Sequence, residues 1–194
     1  MCGILGLVAK NKNSKQSEAL KSASRFIDHR GPDQSALFEN KDILFIHKRL
    51  SIVDLKGGNQ PIINGNFVLI ANGEIYNDLL IRKECKNFNF TTGSDCESIL
   101  AVYSNFGLEG FKKLRGMFAF AIYDLKNKNL ILGRDPFGIK PLYFYSGHEN
   151  LIFSSEPQVL IKSKLVKKDL NKKKFKELLQ IQFSSANDTI FKKI

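Results

Sequence analysis

The chain opens with Met1-Cys2-Gly3-Ile4, a cysteine directly behind an initiator methionine. Once that methionine is removed, one residue carries both a thiol and a free α-amine. In such a residue the nucleophile is activated by its own backbone amine rather than by a histidine. The α-amine titrates near about 7.7 to 8.0 and a free thiol near about 8.5, so proton exchange between them is close to balanced at neutral pH. Taken alone, position 2 is equally a small residue that permits methionine removal, and the choice between the two readings depends on the segments that follow.

Outward from that start, Ile4 to Val8 is a short apolar run that predicts a strand, and Lys10 to Lys15 is polar and turn-like. Ala19, Leu20, Ala23, Phe26 and Ile27 recur at helical spacing, which predicts an amphipathic helix from about Ser17 to Asp28. His29-Arg30-Gly31-Pro32-Asp33 ends it, because Pro32 disfavours helix in the residue before it and Gly31 admits unusual backbone angles. Short strands are expected at Ser35 to Phe38, Ile43 to Leu50, Ile62-Ile63 and Phe67 to Ala71. Asn64-Gly65 is the hairpin signal between the last two. Asn72-Gly73-Glu74 then reads as a strand end feeding a tight turn, a rigid mount for fixed hydrogen-bond donors.

Tyr76 to Lys86 and Asp95 to Phe106 read as helices, the second with Ser94 or Asp95 at its cap and Gly107 as its stop. Met117 to Tyr123 is almost continuously apolar and predicts a strand buried on both faces, paired with Leu130 to Gly133. After Arg134-Asp135-Pro136-Phe137-Gly138-Ile139-Lys140-Pro141-Leu142, strands are expected near Tyr143 to Tyr145 and Leu151 to Phe153. A lysine-rich helix follows near Leu170 to Leu179. Many strands with a few segregated helices predict an α+β architecture of packed layers.

Composition narrows the functional classes. Of 194 residues, 43% are hydrophobic and 25% charged, the balance of a globular domain with a real core. The apolar start is too short for a signal peptide or a spanning helix, so the expected location is cytoplasmic, with no membrane partner. Cys2, Cys85 and Cys96 are an odd number without metal-ligand spacing, which predicts neither a disulfide framework nor a metal site. The net charge of +11 is concentrated at the end, since residues 162 to 194 hold ten lysines against three acids. No aromatic and basic interleaving accompanies it, so no nucleic-acid partner is expected.

Cys2, Arg49-Leu50-Ser51-Ile52-Val53, Asn72-Gly73-Glu74 and Thr92-Gly93-Ser94-Asp95 are each bland alone. Together with His29 to Asp33 and Arg134 to Leu142, their order and wording resemble the glutaminase domain of class II glutamine amidotransferases, closest to the asparagine synthetase type. The resemblance runs from Cys2 to about Ile161. It implies an N-terminal nucleophile (Ntn) hydrolase fold, two antiparallel sheets stacked between helical layers in an αββα sandwich. It also implies hydrolysis of the glutamine side-chain amide. The ammonia would pass to a second domain that adenylates aspartate with ATP and Mg2+. No cofactor is expected for the present domain.

Within that resemblance the residues take chemical roles. Cys2 would attack the amide carbon to give a thioester, its amine accepting the thiol proton and returning one to the leaving ammonia. Asn72 and Gly73 would supply two donors to the oxyanion, and Gly73 would let the backbone approach the substrate with no Cβ in the way. Arg49, with the Leu50 to Val53 backbone, including Ser51, Ile52 and Val53, would grip the α-carboxylate. Asp95 and Glu74 would hold the α-ammonium. Arg30 and Asp33 support the site from behind; His29, His47, Cys85 and Cys96 are read as structural, and Arg134 to Leu142 as facing a partner domain.

The expected boundaries are a glutaminase domain over 2–185 and, over 186–194, the start of a linker to a synthetase domain. That domain would lie in cis or on a separate chain, and a homodimer is compatible with either. The amidophosphoribosyltransferase and glucosamine-6-phosphate synthase types, and a non-catalytic interaction module, are the alternatives. No Gly-x-Cys-x-Gly elbow of the class I enzymes occurs.

Overall fold

A computed structural model describes residues 1–55, 57–183 and 188–194. The expected domain boundary at 185/186 lies outside the described residues. Nine strands form two wholly antiparallel sheets among the described residues. The first contains β1 (Gly3–Ala9), β2 (Gln34–Glu39), β3 (Ile43–Arg49), β8 (Tyr143–Ser146) and β9 (Asn150–Ser154), in the order β2-β3-β1-β9-β8. The second contains β4 (Ile62–Asn64), β5 (Phe67–Ile75), β6 (Gly116–Asp124) and β7 (Asn129–Arg134), in that order.

Period-two alternation builds the layers. In β1, Ile4 packs inward with Ile43, Phe45 and Phe153 against Val68, Ile70, Ala119, Ala121 and Tyr123 of the opposite sheet. Leu5 and Leu7 point the other way, onto Leu20 and Ala23 of helix α1 (Ser14–Ser24) and Val159 and Leu160 of α4 (Pro157–Lys162). On the far side, Phe118, Phe120 and Ile122 of β6 meet Ile81 of α2 (Asp78–Glu84) and Ile99 and Leu100 of α3 (Glu97–Phe106). Helix, sheet, sheet, helix is therefore the layer order, and β6 is buried on both faces as its sequence predicts. A last helix, α5 (Lys172–Ile181), precedes the C-terminal segment.

Three local expectations need correction. Helix α1 begins at Ser14, not Ser17, because Asn13 and Gln16 form a reciprocal capping box; the chain then tightens into a 3-10 segment, Arg25–Arg30. The hairpin turn residues are Gly65-Asn66, since Asn64 still pairs with Phe67. Most consequential, β5 does not end at Ala71. It runs on to Ile75, with Asn72, Gly73 and Glu74 opposite Ala119, Phe118 and Met117 of β6. The apolar pattern stops at Ala71 because the inward positions there leave the sandwich interior, while the ladder with β6 continues.

Candidate active site

The inward faces of β1, β3 and β5 turn polar at one end of the sandwich. Alternation from Ile4, Phe45 and Ile70 carries Cys2, His47, Arg49, Asn72 and Glu74 to inward positions there. All five line one cleft of about 80 Å3, with Met1, Leu50, Ile52, Val53, Gly73, Ser94, Asp95, Cys96, Met117 and Lys140 also on its walls. A larger cavity of about 620 Å3, between β7, β8 and residues 188–194, shares no residue with it. Cys2, Arg49, Asn72, Glu74 and Asp95 all line the smaller one, with Met1 on its wall.

Cys2 is half-buried. Its Sγ receives the Leu50 N–H at 3.4 Å and lies 3.5 Å from the Leu50 carbonyl. The Cys2 carbonyl accepts from Arg30 Nε at 3.0 Å, and Asp33 accepts the Ser51 N–H at 2.7 Å, so both supporting residues act on the backbone of cleft segments. Ser51 itself is absent from the cleft lining, whereas Leu50, Ile52 and Val53 are on it.

The donors expected of Asn72 and Gly73 come from the strand rather than from a turn. The Phe118 carbonyl accepts the Asp135 N–H at 2.8 Å and the Phe118 N–H donates to Asp135 Oδ2 at 3.2 Å, so its N–H and C=O face β7, and its partner Gly73 directs its own N–H away from β6. On that open edge Gln60 Oε1 takes the Ala71 N–H at 2.6 Å and Asp95 Oδ2 takes the Ile75 N–H at 2.6 Å. The Gly73 N–H lies between these two satisfied donors. Asn72 is 1% exposed, and its Nδ2 is a buried polar atom with no hydrogen-bond partner among the described residues. Such an orphan is costly unless something fills it.

The structure gives the glycine at 73 a reason of its own. A Cβ there would sit 2.5 Å from the Met117 carbonyl and 2.7 Å from Phe118 Cα. Close approach of β6 by itself excludes a side chain there.

Arg49 is 5% exposed and makes no ion pair among the described residues. Its Nη1 donates to Asn59 Oδ1 at 2.7 Å and its Nη2 to the Asp54 carbonyl at 2.6 Å, so the guanidinium also pins the loop that follows β3. Asp54 then receives the Gly57 and Gly93 N–H groups, joining that loop to the one carrying Ser94 and Asp95. Asp95 does not cap α3; its carboxylate faces β5 instead. Burial raises its pKa, Asp78 and Glu74 add to the rise, and the Ile75 N–H opposes it.

Several organising residues escaped the sequence. Glu97 is fully buried, and its carboxylate accepts the backbone N–H and hydroxyl of both Thr91 and Thr92. Burial alone would raise its pKa, yet these bonds outweigh it and the net shift is downward. The signal was Thr91-Thr92 ahead of an acid in a first helical turn. Lys140 belongs to a segment read as facing a partner domain; Phe137 there is 88% exposed, but Lys140 is 7% exposed and on the cleft wall. Cys96 is also on that wall, its thiol pushed well up by burial and then by Asp95 and Cys2. His47 donates from Nε2 to the Ala71 carbonyl at 3.1 Å, in keeping with a structural role.

A family profile described as a glutamine amidotransferase domain matches residues 1–194. The chain is 41% identical over 169 residues to asparagine synthetase [glutamine-hydrolyzing] 1 of Bacillus subtilis (strain 168), covering 83% of this chain and 27% of that protein. It is 42% identical over 167 residues to asparagine synthetase B [glutamine-hydrolyzing] of Escherichia coli (strain K12), covering 83% and 30%. It thus spans under a third of the length of these relatives. Among solved structures, the glutamine phosphoribosylpyrophosphate amidotransferase of B. subtilis superposes with a TM-score of 0.64 at 17% identity, over 84% of this chain and 44% of that one.

Proposed function

The chain belongs to the glutamine amidotransferase domain family and has its αββα N-terminal nucleophile fold, and from that premise we propose that it hydrolyses the side-chain amide of glutamine through Cys2. The observation that carries this reading is the orphaned Asn72 Nδ2 in the cleft that also holds the Cys2 thiol. A buried donor without an acceptor is a strained ground state, and a negative oxygen formed on the attacked amide relieves it.

The reaction then follows from the chain's own groups. With Met1 removed, the α-amine takes the Cys2 thiol proton, directly or through one water, and the thiolate attacks the amide carbon. The oxyanion lies against Asn72 Nδ2 and the Gly73 N–H. Collapse expels ammonia with the proton returned by the amine, leaving a thioester that water hydrolyses to glutamate. At the other end, Arg49 attracts the α-carboxylate and Asp95, with Glu74, the α-ammonium. Supporting these roles are a buried cation that lacks an ion pair among the described residues and a buried carboxylate whose charge burial disfavours. A fixed span between clamp and thiol selects glutamine over the shorter asparagine.

The relatives' printed names make asparagine synthesis the leading destination for the ammonia, in a second domain that would use ATP and Mg2+. Purified protein with a verified Cys2 amino terminus should release glutamate from glutamine, and Cys2→Ala should abolish release with the fold intact. Glutamate production by that variant would sink the assignment.

A further inference from the structure

If the base is the nucleophile's own amine, the aim of both groups depends on what fixes the peptide unit that follows them. The Cys2 carbonyl is held by Arg30 Nε, and among the described residues the Arg30 Nη2 reaches only the sulfur of Met1, at 3.9 Å, a partner that departs when Met1 is cleaved. Arg30 is 8% exposed, and the carboxylate that pairs with it is Glu156, with Nη1 to Oε1 at 3.2 Å.

Glu156 is itself held from several sides. His29 Nε2 lies 2.8 Å from Oε1, and Gln158 Nε2 donates to Oε2 at 2.6 Å. Its backbone N–H donates to Ser154 Oγ at 3.2 Å. The neighbouring Ser155 grips residue 4 at both backbone groups: its N–H donates to the Ile4 carbonyl at 2.8 Å and its Oγ accepts the Ile4 N–H at 3.0 Å. The chain leaving β9 therefore clasps residues 2 and 4 together, the first through Arg30 and the second directly. Burial alone would raise the Glu156 pKa, but His29, Arg30 and Gln158 reverse this and lower it, so the residue is ionised at neutral pH. Glu156 is not on the cleft wall.

We propose that Glu156 is a positioning residue for the nucleophile: it fixes the Arg30 guanidinium, and Arg30 in turn holds the Cys2 carbonyl so that thiol and liberated amine face the cleft together. This rests on the glutaminase reading. Release of Met1 frees one end of Arg30, which leaves the Glu156 carboxylate on the other end as its charged restraint among the described residues.

The test compares wild type, Glu156→Gln and Glu156→Ala, each with a verified Cys2 terminus, by kcat and KM for glutamine. Alkylation of Cys2 by iodoacetamide is followed across pH in the same proteins, with thermal unfolding as the folding check. A small misaim of reacting groups costs up to about 10²-fold. Glu156→Ala should therefore lose about 10- to 100-fold in kcat, with KM within about two-fold of wild type, and shift the pH profile of alkylation. Glu156→Gln keeps an acceptor without the charge and should recover part of both. A wild-type kcat in Glu156→Ala, a loss no larger than the unfolded fraction, or a pure rise in KM would overturn the proposal. Alkylation needs no glutamine. A wild type that releases no glutamate sinks the glutaminase reading alone, and an alkylation profile unchanged by either substitution sinks the positioning role.

Discussion

Asp95 Oδ2 accepts the Ile75 N–H at 2.6 Å, tying the loop ahead of α3 to the edge of β5 two residues past Gly73. One short bond thus registers the carboxylate proposed to bind the ammonium against the strand that carries the proposed oxyanion donors. Burial comes first among the causes that raise the Asp95 pKa above 3.8. An acid with a raised folded pKa loses stability as pH climbs from its unfolded value through its folded one. A bound ammonium reverses that by favouring the charged form. KM for glutamine should accordingly fall as pH rises through the free-protein pKa of Asp95. Asp95→Asn should raise KM about ten-fold or more, the scale of one charge-assisted hydrogen bond, and flatten that dependence. A KM profile identical in the two proteins would remove Asp95 from substrate binding.

Asn72→Ala separates function from stability by the sign of its effects. The Nδ2 it deletes is buried and unpartnered, so its loss should leave the unfolding midpoint unchanged or raised. The rate should fall about 10²- to 10³-fold, as for other oxyanion donors, with KM little affected. Glutamate release with calorimetry on the same preparation reads both, and a lowered midpoint with a retained rate would contradict the assignment.

Gly73→Ala should behave in the opposite way. The new Cβ would press into the Met117 carbonyl and Phe118 Cα, so β5 and β6 must part. Overpacking of this kind costs about 1 to 3 kcal/mol, and rate and stability should fall together in a urea titration paired with the activity assay. A stable but inactive Gly73→Ala would restore the view that only substrate needs the glycine.

The contrast between residues 72 and 73 also shows what the sequence could carry. The strands were legible as apolar runs such as Ile4 to Val8 and Met117 to Tyr123, while their stacking into a sandwich, like the cleft, was legible through the resemblance, because Cys2, Arg49, Asn72 and Asp95 stand in a recognisable order. Hidden were the facts that depend on a neighbouring strand: β5 continues through Asn72-Gly73-Glu74 because β6 pairs with it there. Also hidden were residues acting on another segment's backbone, such as Glu97 on Thr91 and Thr92, or Glu156 on Cys2 through Arg30. Lys140 was hidden too, buried on the cleft wall within a segment that the resemblance reads as facing a partner domain.

His47 offers a pH test that involves no substrate. It lies inside the sandwich, and burial, then the nearby Arg49, push its pKa down from 6.5 to about 4 against the opposing effect of the Ala71 carbonyl. The folded protein therefore keeps His47 neutral while the unfolded chain protonates below 6.5. Its contribution is complete above 6.5, declines as pH falls, and levels off below about 4. That gap corresponds to about 3 kcal/mol for a group this buried. Urea unfolding at pH 7.5 and pH 4 should show wild type losing about that much more than His47→Gln, whose amide still has a donor for the Ala71 carbonyl. Equal losses in the two proteins would mean that His47 is protonated in the fold, and would return it to consideration as a charged group of the cleft.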